Sequence, residues 1–530
     1  MGGNVIPLGR GTTRIRQSGR LRPDHHAVPG SNARPALAIQ GEDIDLDLEG
    51  SVLSGAEGEQ DSFEGVGIQV QNARNVTIRN ARVHGYRFNL HAEGCNGLRL
   101  INCDFSGSRA ECLREGGEIL DKWLEIRDLG FWRTTGAGMW LDRCHRVHIS
   151  ETQANGAQNG IVLVGCQACE IFHNDLSFNS GWGVAMWASS RNVVAWNNID
   201  FVNRPWRGGW GGDSAAVLLV NESHQNYIVA NSMTHSGDGA FLTDRTQGGL
   251  EASGASNENI LAFNDGSFST NNAFEATFSA RNVFYRNYAN DSRYGFWLGF
   301  SNESWVLENE ICRNAEYGVA IEHGRSSQIA QNTMIANGRA AVRLWAPRRE
   351  AKRSHPSTDI VLAHNAIRSC PLAVAVEDTT DLLFHENECL DAPWPDGVTS
   401  SKNVKRPEAE QARYDQDGWF LKVVGLLKRR PVDFHAYAGR TLPQGWGWIS
   451  CGPFGPEDFR GRPVLWRRVG DRCVELFLTD TSMARYAIRA GKGVLMESPR
   501  PGVPFTACSQ TPRKGVVTVR HLKEMLRIEL

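Results

Sequence analysis

Asn-Ala-Phe-Glu-Ala-Thr at residues 272–277, Tyr-Gly-Phe-Trp-Leu-Gly at 294–299, Tyr-Gly-Val-Ala-Ile-Glu at 317–322 and Ala-Ala-Val-Arg-Leu-Trp at 340–345 are four versions of one line, spaced 22 or 23 residues apart. Each has a small residue, then an apolar one, a variable one, an apolar or small one and another variable one. Between the lines runs a second short apolar segment that ends at Asn, as in Val283-Phe284-Tyr285-Arg286-Asn287 and Trp305-Val306-Leu307-Glu308-Asn309. A period between 20 and 50 residues marks a stack of like units rather than a globular mosaic. Because the alternation has period 2 and not 3.6, each unit reads as one turn of a parallel β-helix.

Outward from this stretch, two tracks continue the pattern. The first is the inward apolar position of the strand: Val70, Leu90, Leu141, Leu163, Met186, Leu219, Thr243, Ala276, Leu298, Ile321, Leu344 and Val376. The second is the Asn that closes the next strand: Asn80, Asn102, Asn174, Asn197, Asn231, Asn264, Asn287, Asn309, Asn332, Asn365 and Asn387, with Asp128 and Glu151 on the two vacant rungs. Stacked Asn side chains at a bend tolerate unusual backbone angles and satisfy one another from coil to coil. Together the tracks predict an all-β chain with a parallel β-helix of roughly 13 coils over 36–390. Residues 1–35 are aperiodic and Arg-bearing, and read as a cap over the first coil. After Cys389 the repeat stops, and Pro393, Pro395 and Pro407 mark a linker over 391–418. Short β-type runs with different spacing then predict a small antiparallel, sandwich-like domain over 419–530.

The bulk composition excludes several function classes. The net charge of −2 over 530 residues argues against a nucleic-acid partner, which draws a strong basic excess. There is no apolar run of about 18 residues to span a membrane. Residues 1–34 carry no apolar core of a signal peptide. The twelve cysteines follow no metal-ligand spacing, and the Cys166-Gln-Ala-Cys169 pair lacks a second pair to match it. Cys144 and Cys166 occupy the same place in successive coils and read as a buried thiol ladder, about 4.8 Å apart, rather than a disulfide.

Candidate chemistry lies on the outer face. Residues flanking the inward track form two outward columns, one with Trp140, Leu242, Glu275, Trp297 and Arg343, the other with His91, Asp142, Trp187, Asp244, Glu322 and Trp345. Sugar rings stack on Trp faces, and glycosidic chemistry needs carboxylates on both sides of the anomeric carbon. Asp244 and Glu275, on adjacent coils with Cα atoms roughly 8 Å apart, are the expected pair: Glu275 as acid, held protonated against Trp297, and Asp244 as base or nucleophile. Glu322 lies about 10 Å further along. Trp140, Trp187, Trp297 and Trp345 would bind sugar, and Arg343 and Arg245 would hold hydroxyl-rich or anionic groups. Insertions at Asn203–Asp213, Arg245–Asn257 and Ala346–Ser357 would wall a groove over the middle coils. No histidine set has metal-ligand spacing, while Asp238, Asp244 and Glu275 together have the oxygen chemistry of a calcium site.

The paired ladders resemble the right-handed parallel β-helix repeat family with the pectin-lyase-like fold, over about 36–390. That resemblance implies an extracellular or periplasmic protein acting on, or binding, a polysaccharide or oligosaccharide. The family's own catalytic signatures are absent here: Asp-Pro-His-Asp/Glu of mannuronan epimerases, Asn-Thr-Asp with Gly-His-Gly and Arg-Ile-Lys of polygalacturonases, and Trp-Ile-Asp-His of pectate lyases. No catalytic residue transfers by resemblance, so hydrolase, lyase and noncatalytic glycan binder all stay open. The absence of Lys between Trp123 and Glu350 ranks hydrolysis ahead of elimination, since a lyase would need Arg or His as its base.

Overall fold

The computed structural model describes residues 5–394 except 10, 30, 32–33, 59, 111–123, 204–212, 245–253 and 347–354. Beyond 394 it describes 446–447, 451–452, 455–456, 464–478, 486–499, 505–511, 515–521 and 524–530. Arg245 and most of the three insertions therefore lie outside the described residues, as does the linker beyond 394.

Two sheets of 14 parallel strands each run the length of the coil stack, joined over part of it by parallel sheets of 3 and 4 strands. Consecutive coils pair strand on strand: Ala137–Asp142 with Asn159–Val164, then with Trp182–Trp187, then with Ala215–Val220. The inward side chains form one continuous core from Ile15 to Ala392. The first coil already begins at Thr13–Ile15, which pairs in parallel with Leu37–Ile39, inside the stretch read from sequence as a cap. Near the C-terminus the strands turn antiparallel, as in Val464–Gly470 with Cys473–Leu478 and Val516–His521 with Glu524–Glu529.

The register corrects the inward track at two rungs. Ala92, not Leu90, pairs with both Val70 and Leu141, a slip of two that keeps the same face. Leu242, not Thr243, pairs with Leu219 and Ala276, a slip of one that exchanges faces. Phe241 therefore takes the outward rung between Leu218 and Glu275, and Asp244 leaves the outward column.

The Asn ladder is also redrawn. From Asn174 to Asn387 the Asn side chains are buried, or half-buried at Asn387. Asn174 Oδ1 accepts from the Thr152 N–H, and each later Oδ1 accepts from the backbone N–H of the Asn one coil earlier, as Asn197 does at 3.0 Å. The left-handed residue of the corner is the one before each Asn, for example Phe263 (φ 58°) before Asn264 and Arg286 (φ 52°) before Asn287. In the first coils Asn80 and Asn102 are themselves left-handed, and Cys103 and Thr152 take the inward rung, with Cys103 N–H donating to Thr152 Oγ1. Glu151 is the left-handed neighbour of Thr152, and Asp128 caps a helix instead of filling a rung. A second buried ladder, Asn192, Asn226, Asn259 and Asn282, supports another corner with the same bonds. Cys144 and Cys166 are free and buried, with the Cys144 N–H 3.4 Å from Cys166 Sγ, as the thiol-ladder reading expects.

Candidate active site

The outer face of the first long sheet divides into a covered half and an open half. Strands 159–164 and 215–220 are buried at every residue. Their near-continuous apolar runs, Ile-Val-Leu-Val and Val-Leu-Leu-Val, are what a strand covered on both faces requires. The cover is the segment Leu124 to Thr134, which ends in the helix Leu129–Thr134 capped by Asp128. Leu124, Ile126 and Trp132 form a second core against Trp140, Val162, Ala185, Leu218, Trp187, Val220 and Phe241. Trp132, fully buried, lies 4.5 Å from the Trp182 ring and 5.3 Å from Trp187. Trp140 and Trp187, expected as exposed sugar platforms, are instead 3% and 7% exposed. They were assigned outward correctly, but the helix they pack against has no repeat to announce it.

Glu275 occupies the rung just beyond this cover, between Phe241 and Trp297. It is half-buried. Asn272, on the same strand, donates from Nδ2 to Glu275 Oε2 at 2.5 Å and to Asp238 Oδ1 at 3.0 Å. These two carboxylate oxygens therefore lie at most about 5.5 Å apart, within the separation over which two carboxyl groups work as a pair. Asp238 Oδ1 also accepts from the Asn272 backbone N–H at 2.9 Å and Asn271 Nδ2 at 3.2 Å. Asp213 enters from the preceding coil, its carbonyl accepting from Trp182 Nε1 at 3.1 Å. Three successive coils thus each supply one carboxylate.

The electrostatics follow from burial and like charge. Burial first, then the charges of Asp238 and Asp213, hold Glu275 well above the usual carboxylate range; Asn272 and Arg127 act the other way. Burial pushes Asp238 up to about 8, with Asp213 adding to the rise against the bonds from Asn272. Such a cluster titrates as a unit and retains a proton near neutrality.

A stability consequence has a definite sign. The folded-state pKa of Asp238 lies above its ordinary 3.8, so the folded protein keeps a proton the unfolded chain has released. The stability this carries is full below about pH 4 and is lost as pH rises through about 8. Asp200, pushed up to about 6 chiefly by burial, acts in the same direction. Asp238→Asn keeps the Oδ1 acceptor and is expected to flatten the fall in melting temperature between pH 4 and pH 8; an unchanged slope would show that Asp238 is ionised in the fold.

The open half carries aromatic side chains next to Glu275. Tyr294 pairs with Asn272 and Trp297 with Glu275 along the rungs. Trp297 packs edge-on to Tyr294 at 5.0 Å and to Trp345 at 5.4 Å, reaching across the small Ala320 between them. Tyr317 stacks on Tyr294 at 6.1 Å. Trp297 and Trp345 are half-buried, so both offer ring surface. Arg343 lies over the Trp345 ring at 5.6 Å and is ion-paired to Glu377. Glu322 is half-buried on the rung beside Trp345. Asp244 is fully buried beyond the end of strand Asp238–Leu242. Asp142 is 6% exposed and paired to Arg143 at 2.8 Å and Arg133 at 3.4 Å. Asp238, Asp244 and Glu275 do not converge as a metal-ligand group among the described residues. Asp213, and Asp238 in any role but metal binding, were missed from sequence, because Asp213 precedes its strand and Asp238 opens its own, ahead of the two outward positions that the reading used.

A model of a right handed beta helix region matches residues 48–199, and a model described as periplasmic copper-binding protein (NosD) matches residues 211–392. Neither covers half of the chain. No curated protein matches the sequence. Among solved structures, the Azotobacter vinelandii mannuronan C-5 epimerase AlgE6 A-module is 10% identical, covers 74% of this chain and 92% of its own, and has a TM-score of 0.41. The Dettilon tailspike protein is 12% identical over 97% of this chain and 83% of its own, with a TM-score of 0.38. PfbA, a surface adhesin of Streptococcus pneumoniae, is 12% identical over 78% and 89%, with a TM-score of 0.31. Likenesses this distant carry no information about activity.

Proposed function

This chain is a right-handed parallel β-helix protein, and from that premise we propose that it hydrolyses glycosidic bonds of a polysaccharide laid along the open half of its outer face. The observation that supports this reading is Glu275: half-buried, held protonated beside Asp238 and Asp213, and next to Trp297. A carboxylic acid that keeps its proton near neutrality can donate it to the departing glycosidic oxygen. Asp213, half-buried on the coil before Asp238, is the partner carboxylate, attacking the anomeric carbon or activating water. Asp238, 1% exposed, is a positioning residue that holds Asn272 against Glu275. Asp244 takes no part in this scheme because it is fully buried.

Tyr294, Trp297, Tyr317 and Trp345 would stack on successive sugar rings. A compartment outside the cytoplasm fits the Cys473–Cys508 disulfide, a bond that oxidising environments sustain. No helix among the described residues is long and apolar enough to cross a membrane.

The test is a panel of polysaccharides scored both for new reducing ends and for the ultraviolet absorbance of an unsaturated product. Reducing ends without the absorbance support hydrolysis; both together mean a lyase; neither leaves a glycan-binding β-helix. Trp297→Ala is expected to weaken oligosaccharide binding by roughly tenfold, the loss of about 1–2 kcal/mol of ring stacking, read by calorimetry. Unchanged affinity would remove Trp297 from the binding surface.

A further inference from the structure

At the far end of the coil stack, His364, His385 and Glu386 bring a ligand atom each to within 4.8 Å of one another. We propose that these three residues bind a late first-row divalent cation such as Zn2+, and that the ion clamps the last coil to the one before it. The site is separate from the carboxylates around Glu275, which belong to the other long sheet.

Coil register builds the arrangement. His385 ends strand Thr379–His385 and pairs with Ala363, the last residue of strand Ser357–Ala363. His364 and Glu386 follow those two residues at the left-handed corner, with φ of 54° and 46°. Each precedes a ladder Asn, Asn365 or Asn387, whose bonds fix the corner. The backbone pins the same geometry where the His364 N–H donates to the His385 carbonyl at 3.1 Å. His364 Nδ1 then stands 3.2 Å, and His385 Nε2 3.5 Å, from the two oxygens of Glu386. Nitrogen and oxygen ligands about 2.0–2.2 Å from a tetrahedral Zn2+ stand about 3.3–3.5 Å from each other, so a triangle whose sides are all within 4.8 Å must contract by at most about 1.5 Å along any side to close on an ion.

The donor set is two imidazoles and a carboxylate, which suits Zn2+ or Cu2+ and not calcium. Among the described residues His385 Nδ1 is buried without a hydrogen-bond partner, and Nε2 is the nitrogen presented to Glu386. The Glu386 side chain is 64% and that of His364 34% exposed, so an ion can enter from solvent and keep a water as fourth ligand. Elsewhere on this corner the same two positions in adjacent coils hold an ordinary ion pair, Arg286 with Glu308 at 2.7 Å; here an imidazole replaces the guanidinium and a second imidazole joins it. Among the described residues strand Thr379–His385 is the last of its 14-stranded sheet, and an end strand is where fraying begins.

The experiment is calorimetric titration of the full-length, chelator-stripped protein with ZnCl2, together with its melting temperature with and without Zn2+. The expected result is one ion per chain, a higher melting temperature with Zn2+, and a loss of at least about 100-fold in affinity when a ligand is removed. His364→Asn and Glu386→Gln are the variants of choice, since both positions are accessible and Asn tolerates a left-handed corner. Electron paramagnetic resonance with CuCl2 should show two coordinated imidazole nitrogens in the wild type and one in His364→Asn. No Zn2+ binding by the wild type, or equal binding by both variants, would overturn the proposal. Loss of polysaccharide turnover is not a readout here, so failure of this proposal and failure of the hydrolase reading remain distinguishable.

Discussion

Glu275→Gln should lower kcat for polysaccharide hydrolysis by about 10² to 10⁴-fold, the range that loss of a positioned general acid produces. The substitution is nearly isosteric, and the Gln carbonyl can still accept the bond that Asn272 Nδ2 gives to Glu275. It removes only the proton to be donated. Sugar affinity, set by Trp297 and its neighbours, should therefore change little, and the split between an intact dissociation constant and a lost kcat is the signature of the role. Because burial and two neighbouring carboxylates hold Glu275 protonated, the wild type should stay active up to neutral pH. Asp238 carries its own proton up to about pH 8, so Asp238→Asn should leave kcat little changed below that pH. Above it, where the wild-type Asp238 charge would hold up Glu275, the substitution should pull the alkaline limb of the profile toward acid. Asp213→Asn should cost turnover as severely as Glu275→Gln. A Glu275→Gln enzyme that turns over at the wild-type rate would refute the proposed acid and leave the fold untouched.

The fold was legible because a parallel coil repeats one constraint many times. A residue such as Leu163 or Leu298 need only be apolar and in step with its neighbours, and errors at Leu90 and Thr243 were outvoted by the other rungs. The slip at Thr243 shows the limit of such averaging. Strand Asp238–Leu242 is followed by residues with no pattern, so nothing local told Leu242 from Thr243, and a shift of one residue carries a side chain through the sheet. That single shift separated Asp244 from Glu275 as a pair. Trp297, Trp345 and Glu275 were placed on one wall correctly, since their strands repeat cleanly. The cover over Trp140 and Trp187 was not legible as a helix, because a six-residue segment in one coil leaves no periodic trace. Its imprint was present on the other side of the contact: the unbroken apolar runs at 161–164 and 217–220 leave no polar face for solvent.

The largest effect on stability should come from Asn264→Ala. Asn264 is fully buried at a corner whose sharpness comes from Phe263 in the left-handed region. Its Oδ1 accepts from the Asn231 backbone N–H and Nδ2, both at 3.0 Å, while its own Nδ2 donates to the Ile228 carbonyl at 2.8 Å and Asn287 Oδ1 at 3.1 Å. Alanine deletes all four bonds without moving their partners toward water. The Asn231 N–H and one Nδ2 hydrogen lose their acceptor, and the Ile228 carbonyl loses a donor. Each orphaned buried group costs about 1–3 kcal/mol, so the variant should lose about 3 kcal/mol or more. Neighbouring rungs share the damage, because each Asn polarises the next along the ladder from Asn174 to Asn387. Asn102→Gly is the matched control. Asn102 is exposed, is itself left-handed at φ 53°, and gives one bond, to Asn80 Oδ1 at 2.6 Å. Glycine keeps the backbone angle, so its cost should stay within about 0.5 kcal/mol. Urea unfolding followed by tryptophan fluorescence measures both. If Asn264→Ala unfolds at the wild-type midpoint, the coils are held by their apolar core alone and the buried amides are incidental to the register.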